Sequence, residues 1–270
     1  MCKCADVQIE DSFPTFAHLH IKLMNVIKNI FGRIWAVYGL VLFAVTLLIA
    51  LIPIALSGGL PEPRRTEVFR RSSKAWMNVF LHLIGCPIRI KGRSNFKKDQ
   101  TYIVTCNHNS LMDIPLSTPF IPGPNKTIAK VELSKVPLFG IIYKRGSVLV
   151  DRKSDESRRK SIDEMRSVLE HGMHMCIYPE GTRNKTGQPL KSFYDGAFKL
   201  ASDTGKPIIP AIIFNTSTVL PPNKKFFLWP HPIGIHFLEP VAVTKGEDVT
   251  QLKEKIFTIM WNYYKSKVKS

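Results

Sequence analysis

Residues 102–113 read Tyr-Ile-Val-Thr-Cys-Asn-His-Asn-Ser-Leu-Met-Asp, an apolar run followed by a histidine and, five residues later, by an aspartate. The apolar part predicts a short buried strand. A histidine at the end of a strand is well placed to act as a general base, because imidazole side chains titrate near neutrality. If the Asp113 carboxylate accepts the Nδ1–H of His108, the ring tautomer is fixed and Nε2 is left free to take a proton.

The overall charge indicates an affinity for anionic partners. The 270-residue chain has a formal net charge of +17, from 38 lysines and arginines against 21 acidic residues. This excess favours nucleic acid, anionic lipid or phosphorylated substrates, and it is equally consistent with solubility and attraction to a membrane surface. Aromatic residues are not interleaved with the basic ones as in a base-stacking surface, and no zinc-finger spacing is present. We therefore expect no nucleic acid as the partner.

A long uncharged stretch near the N-terminus indicates a membrane anchor. Residues 34–56 contain no charged side chain. A helix of this length spans about 35 Å, which is enough for a bilayer core. Trp35 and Tyr38 lie near one end, as interfacial anchors do, and Pro53 predicts a kink or an early stop. The alternative, a buried helix of a soluble protein, is disfavoured by the uninterrupted length.

The charges around this stretch leave its topology open. Basic residues flank both ends, and the richer C-terminal flank favours a cytoplasmic main domain, while a re-entrant hairpin also fits. Residues 75–84 carry apolar side chains at the spacing of an interfacial amphipathic helix, namely Trp76, Met77, Phe80, Leu81 and Ile84. We expect a polar and basic lead-in at residues 1–33, membrane-anchoring helices at 34–85 and the main domain at 86–270.

Beyond residue 87, short apolar runs alternate with amphipathic helices. Ser154 fits an N-cap with Asp155 and Glu156 in the first turn, and Gly172 fits the end of that helix. A last helix is expected at about residues 249–264. The alternation predicts an α/β domain with a mixed, mainly parallel sheet flanked by helices, behind an N-terminal membrane-anchoring helical region. The expected strands are residues 88–90, 102–106, 127–129, 147–150, 174–178, 208–213 and 233–238.

Two further runs place an arginine just after a strand. Residues 146–152 (Gly-Ser-Val-Leu-Val-Asp-Arg) and 175–183 (Met-Cys-Ile-Tyr-Pro-Glu-Gly-Thr-Arg) each read as a strand followed by a polar turn. Ligands collect at the carboxyl ends of strands in α/β sheets, and a guanidinium fork suits two phosphate oxygens. Arg152 and Arg183 are therefore candidates for holding a phosphate. The alternatives that involve no ligand are a local Asp151–Arg152 ion pair at a helix start and an ordinary surface turn at 179–183.

The runs in order resemble the glycerolipid acyltransferase family. Its four sequence blocks are matched by Asn-His-x4-Asp at 107–113, Gly-x4-Asp-Arg at 146–152, Pro-Glu-Gly-Thr-Arg at 179–183 and Pro-Ile-Ile-Pro at 207–210. One block alone is unspecific, whereas four in order are specific. The resemblance is closest to the bacterial 1-acylglycerol-3-phosphate acyltransferases and covers about residues 76–215. The second block departs from the family, because it lacks the aromatic residue that is common before the Asp-Arg pair.

The resemblance implies a role for each matching residue. His108 is the general base and Asp113 its orienting partner. The site for the acceptor phosphate is formed by five residues, Arg152, Glu180, Gly181, Thr182 and Arg183. Lys130 adds a positive charge beside it. No metal or separate cofactor is expected, because the acyl donor, a thioester of coenzyme A or of acyl-carrier protein, is already activated.

The implied reaction moves a fatty acyl group from a thioester to the sn-2 hydroxyl of lysophosphatidate, which gives phosphatidic acid for phospholipid biosynthesis. The expected location is the cytoplasmic membrane, with the catalytic domain on its cytoplasmic face. The acceptor could instead be glycerol 3-phosphate, a lysophospholipid or a lyso-aminolipid. A non-catalytic module that binds anionic membrane lipid is the alternative from another class, and it has no need for an oriented base.

Overall fold

The computed structural model describes residues 16–151 and 153–268. The strands in these ranges are β1 (Ile88–Lys91), β2 (Ile103–Cys106), β3 (Asn125–Lys130), β4 (Ser147–Val150), β5 (His174–Ile177), β6 (Ile208–Phe214) and β7 (Ile233–Phe237). They form one sheet in the order β1-β7-β6-β2-β5-β3-β4. Neighbouring strands are parallel except β6 and β7, which are antiparallel. The predicted mixed, mainly parallel sheet is confirmed, and each predicted strand overlaps an observed one.

Helices cover both faces of this sheet. They are α1 (Phe16–Leu56), α2 (Arg64–Leu83), α3 (Asp113–Ser117), α4 (Phe139–Gly146), α5 (Asp155–Glu170), α6 (Gly196–Thr204), α7 (Thr216–Val219) and α8 (Val249–Val268). One face packs against α1, α2 and α3, and the other against α5, α6 and α8. Strands that are buried on both faces need apolar residues throughout. This requirement explains why β6 contains apolar residues alone.

Local signals set the bounds of α5 as the sequence predicts. The Ser154 hydroxyl accepts a hydrogen bond from the Ser157 backbone N–H at 3.1 Å, which satisfies one of the free donors of the first turn. Asp155 and Glu156 occupy that turn, where the helix dipole favours negative charge. The helix ends at Glu170, and Gly172 adopts a φ of +74°, a conformation that glycine adopts readily.

Helix α1 contains the predicted apolar stretch and extends beyond it. The helix begins at Phe16 and not near Ile34, because residues 16–33 are also rich in apolar helix formers. Pro53 lies inside the helix, which continues to Leu56. Within the described residues, one helix is long and apolar enough to cross a membrane, and only 22% of its most apolar window is buried against the protein. Helix α1 is therefore a candidate membrane anchor.

Helix α2 corrects the expectation of an interfacial amphipathic helix. Its apolar residues Trp76, Phe80 and Leu81 are buried in the core between α1 and the sheet. Phe43 of α1 packs on the rings of Trp76 and Phe80, at centroid distances of 5.2 and 5.4 Å. The Trp76 indole N–H donates to the Thr46 hydroxyl at 2.9 Å. Helical periodicity reports which side chains avoid water, and it does not distinguish a lipid surface from a protein core.

A single carboxylate joins the turn between α1 and α2 to the sheet. Glu62 accepts hydrogen bonds from the Arg65 guanidinium at 2.8 Å, the Thr66 hydroxyl at 2.7 Å and the Lys126 ammonium of β3 at 2.9 Å. Burial raises the pKa of Glu62, but the hydrogen bonds from Thr66, Arg65 and Lys126 outweigh it and lower the pKa to about 2. The ionised carboxylate therefore fixes the helix pair against β3.

We predict that Glu62→Gln destabilises the protein at neutral pH by about 1–3 kcal/mol. Because the folded-state pKa is lowered, the contribution of Glu62 is complete above its ordinary pKa near 4.5 and is lost as the pH falls toward 2. Thermal unfolding in detergent micelles at pH 6.5 and 3.5 measures the difference between wild type and variant. The difference should shrink at the lower pH. A constant difference, or an equal effect of the exposed-site control Glu164→Gln, contradicts this role.

Candidate active site

Three of the predicted runs meet at one edge of the sheet. Strands β2, β5, β3 and β4 are adjacent and parallel, so their carboxyl ends lie side by side. His108 follows β2, Glu180 follows β5, and Lys130 is the last residue of β3. The turn after β4 leads to Arg152, which lies outside the described residues. The fold therefore gathers residues that are far apart in the sequence along this edge.

The His108 imidazole is held by a buried carboxylate. Its Nδ1 lies 2.7 Å from Oδ2 of Asp113, the first residue of α3. The same oxygen accepts hydrogen bonds from the backbone N–H groups of Asn109 at 2.7 Å and Ser110 at 2.8 Å. The Asp113 side chain is fully buried, whereas the His108 side chain is 15% exposed. The aspartate thus fixes both the ring and the loop that carries it.

This contact determines which ring nitrogen can accept a proton. An ionised carboxylate is an acceptor only, so a favourable contact at 2.7 Å requires that His108 Nδ1 carries the hydrogen. In the neutral ring, Nε2 then has the free lone pair. The geometry therefore gives His108 the tautomer of a general base, in a side chain that reaches the surface.

Side chains on both sides of the loop hold it in place. The Asn107 amide donates to the carbonyl of Ile213 at 3.0 Å and accepts from its N–H at 2.7 Å, which ties the loop to β6. The Ser110 hydroxyl donates to the Leu220 carbonyl at 2.7 Å. The Asn184 N–H donates to the His108 carbonyl at 2.6 Å. These contacts fix the backbone of the residue whose side chain is the candidate base.

Glu180 links two backbone segments at the site. Its Oε1 accepts from the His108 N–H at 2.8 Å and its Oε2 from the Lys191 N–H at 2.9 Å. The side chain is fully buried. Burial raises the pKa of Glu180 to about 7, with a further rise from the nearby Asp113 charge, although the two backbone hydrogen bonds act in the opposite direction. Both carboxylate oxygens thus face the protein backbone.

The turn after Glu180 presents polar and basic groups. Gly181 has a φ of +68°, so the backbone conformation favours glycine, and a Cβ at this position would displace the exposed Tyr194 ring, which lies 2.8 Å away. Thr182 is exposed, and its hydroxyl accepts a hydrogen bond from the Lys191 ammonium at 3.0 Å. Arg183 is partly exposed. Lys130 is exposed at the end of β3, separated from β2 by β5.

Two residues at the site were given no role by the sequence. The Tyr178 ring lies 4.5 Å from the His108 ring, and its hydroxyl is 2.6 Å from that of Ser117 on α3. Tyr178 therefore contacts both the imidazole and the helix that carries Asp113. An aromatic residue at the end of a strand, just before Pro179, was the available signal. Lys191 had none, because its contacts with Glu180 and Thr182 depend on the path of the following loop.

The arrangement combines an oriented base with cationic groups at one edge of the sheet. Such a site can remove a proton from the hydroxyl of an anionic molecule and hold that molecule in place. Among the residues that the structure describes, no three His, Cys, Asp or Glu side chains are grouped so that they could hold a metal ion.

Comparisons with known proteins find similar sequences. Residues 87–214 match the family model described as Acyltransferase. The 1-acyl-sn-glycerol-3-phosphate acyltransferase of Cocos nucifera is 34% identical over 63% of this chain and 54% of its own length. The enzyme of that name from Saccharomyces cerevisiae is 32% identical over 58% of this chain and 52% of its own length. The chain thus matches about half the length of these relatives.

A solved structure shares the fold. The crystal structure of the 1-acyl-sn-glycerophosphate (LPA) acyltransferase PlsC from Thermotoga maritima superposes with a TM-score of 0.69. The superposition covers 89% of this chain and 96% of that chain, at 21% identity. The family resemblance predicted from the four sequence blocks is confirmed by the family model, whose matched range contains all four. Residues 87–214 of this chain are therefore similar to the acyltransferase family.

Proposed function

We propose that this protein transfers a fatty acyl group from an acyl thioester to the sn-2 hydroxyl of 1-acylglycerol 3-phosphate and so forms phosphatidic acid. The observation that carries the proposal is the 2.7 Å contact between His108 Nδ1 and Asp113 Oδ2, at an edge that also presents Lys130 and Arg183. The names of the relatives support the same reaction.

The reaction begins with proton transfer to His108. Nε2 removes the proton of the acceptor hydroxyl as the oxygen attacks the thioester carbonyl, and Asp113 stabilises the imidazolium that forms. The tetrahedral intermediate collapses and the C–S bond breaks. The proton on His108 then passes to the departing thiolate, which restores the neutral base. The thioester is already activated, so the chemistry needs no further cofactor.

Basic residues position the acceptor. Arg183 lies in the turn after β5 and Lys130 ends β3, so both are available at the carboxyl ends of the strands to hold the phosphate, and Arg152 is proposed to join them. A guanidinium fork can hold two phosphate oxygens at once, which fixes the distance from the phosphate to the reacting hydroxyl. The Thr182 hydroxyl, with Lys191 beside it, offers a further polar contact.

Glu180 acts through the backbone in this proposal. The acceptor-phosphate role that the family resemblance implies for it is disfavoured as a direct contact, because an ionised carboxylate has no hydrogen to donate to a phosphate oxygen and both of its oxygens already accept hydrogen bonds from backbone N–H groups. We therefore assign Glu180 to positioning His108 and the turn that contains Gly181, Thr182 and Arg183. A phosphate next to this fully buried carboxylate is also unfavourable, because the second negative charge would raise the free energy of ionising Glu180 further.

The N–H groups nearest to His108 are already engaged. Those of Asn109 and Ser110 donate to Asp113, and that of His108 donates to Glu180. The donors that stabilise the oxyanion must therefore come from another segment or from the substrates.

The acyl donor is proposed to be a thioester of coenzyme A or of acyl-carrier protein. We also propose that the α/β domain lies on the cytoplasmic face of the cytoplasmic membrane. The excess of basic residues after α1 supports this orientation; they are Arg64, Arg65, Arg70, Arg71 and Lys74. Alternative acceptors remain glycerol 3-phosphate, a lysophospholipid or a lyso-aminolipid. A module that only binds anionic lipid has no use for a carboxylate-oriented imidazole, so the His108–Asp113 contact favours an enzyme.

Replacement of the base tests the reaction. We expect His108→Ala to lower kcat for lysophosphatidate and a long-chain acyl thioester by about 10²- to 10⁴-fold, because positioned proton transfer is lost. Turnover is measured on purified membranes with labelled acyl-CoA and with acyl-carrier protein as separate donors. His171→Ala, at an exposed histidine beyond the end of α5, serves as the matched control. Unchanged turnover in the His108 variant removes the base from its assigned role.

Replacement of the arginine tests the acceptor class. We expect Arg183→Ala to raise KM for lysophosphatidate by about tenfold or more, because one charge-assisted contact with phosphate is worth about 1.5–3 kcal/mol. The same variant should use a neutral acceptor, 1-acylglycerol, as poorly as the wild type does. Lys185→Ala, an exposed cation two residues away, is the control. Equal losses on the phosphorylated and neutral acceptors argue against phosphate contact.

A further inference from the structure

An exposed apolar segment lies at the same edge of the sheet. Val136, Pro137 and Leu138 connect the short 3-10 turn Val131–Lys135, which follows β3, to helix α4. Val136 is 43% exposed and Leu138 is 54% exposed. Single exposed apolar residues are common on protein surfaces, but three in succession beside a candidate substrate site need an explanation.

The backbone holds the Leu138 side chain outward at a conformational cost. Leu138 has a φ of +60° and a ψ of −52°, and the Phe139 N–H donates to the Pro137 carbonyl at 2.6 Å. These features define a γ-turn with positive φ at its central residue, which is a rare and strained conformation for any residue other than glycine. The segment therefore exposes an aliphatic side chain at a backbone conformation that asparagine or glycine would adopt at lower cost.

The segment lies beside the candidate membrane anchor. Phe139, the next residue, turns inward and packs on Phe43 in the middle of α1, with ring centroids 5.9 Å apart. The residues of α1 around Phe43 that face away from the protein are aliphatic and exposed; they include Leu40, Val41 and Val45. If lipid covers this part of α1, the same lipid reaches the segment.

The charges around the segment suit an anionic surface. Lys135 precedes it, and Lys130 and Lys144 lie on its two sides in the sequence, all three exposed. Glu132 is the exposed acid among them. Basic side chains beside an apolar loop attract anionic lipid headgroups while the apolar part enters the boundary with the acyl chains. The loop is continuous with the exposed aliphatic side of α1. This continuity is expected if lipid covers both, and it has no role in the binding of a protein partner.

We propose that Val136–Pro137–Leu138 is a second membrane contact, which enters the interface of an anionic bilayer beside α1. It follows Lys130 closely in the chain, so its insertion sets the height of the strand-end edge, and with it of His108, above the lipid. An acceptor that stays in the bilayer then reaches the base without leaving the membrane. This last consequence rests on the proposed function, whereas the lipid contact itself does not.

Fluorescence tests the contact directly. Leu138→Cys, in a full-length chain with Cys2→Ser and Cys4→Ser, is labelled with nitrobenzoxadiazole and reconstituted into vesicles of phosphatidylcholine with phosphatidylglycerol. The cysteines at 86, 106 and 176 are buried. We expect a blue-shifted emission, at least threefold weaker quenching by aqueous iodide than at a control label on Thr258→Cys, and quenching by lipids with a nitroxide near the headgroup. Thr258 is exposed on α8, at the other face of the sheet. Equal iodide quenching at the two labels overturns the proposal.

A second variant separates lipid contact from folding. Leu138→Asn keeps the backbone conformation, because asparagine tolerates positive φ better than leucine, so the thermal unfolding temperature should not fall. Its kcat/KM for lysophosphatidate embedded in vesicles should fall at least threefold, with no change for a short-chain, water-soluble lysophosphatidate. An equal fall on both acceptors, or none on either, contradicts the proposed consequence for activity. The fluorescence result stands or falls independently of whether lysophosphatidate is the acceptor.

Discussion

One oxygen atom organises the strand-end edge that carries the candidate active site. Oδ2 of Asp113 accepts hydrogen bonds from the His108 ring and from the N–H groups of Asn109 and Ser110. Because the carboxylate is fully buried, each donor compensates for lost hydration, and the loop cannot change its shape without leaving that charge unpaired. The orientation of the imidazole is therefore a consequence of the loop's folding and does not have to wait for substrate.

The sheet gives this loop its surroundings. Since β2 lies between β5 and β6, the loop after β2 receives contacts from both sides, through Glu180 on one and Ile213 on the other. Basic residues reach the same edge from segments that are far apart in the sequence. The long apolar α1 and the Val136–Pro137–Leu138 segment, joined through the packing of Phe43 on Phe139, form the proposed lipid contact beside this edge. In the proposed function, proton transfer, anion binding and access to lipid all depend on one set of strand ends.

Sequence reasoning succeeded where the signal is local. The strands follow from apolar runs, the start of α5 from the Ser154 cap, and the His108–Asp113 contact from a spacing of five residues. It failed for α2, whose amphipathic stripe reads the same whether it faces lipid or a protein core. The contact of Glu180 with the His108 N–H and the packing of Tyr178 on the His108 ring were not predictable, because they join segments about 70 residues apart. The acceptor-site roles of Lys130, Arg152, Thr182 and Arg183 stay predictions from the family resemblance.

The most direct measurement of the central claim is the tautomer of His108 in solution. Nitrogen NMR of the protein in nanodiscs, with labelled histidine and the His108 signal assigned by its loss in His108→Gln, reports the protonation of each ring nitrogen among the eight histidines. The account predicts that the neutral ring carries its hydrogen on Nδ1, with Nε2 unprotonated, and that Asp113→Ala removes this preference. A neutral ring protonated on Nε2 in the wild type would contradict the account, because Nε2, the proposed base atom, would then have no lone pair to accept the proton.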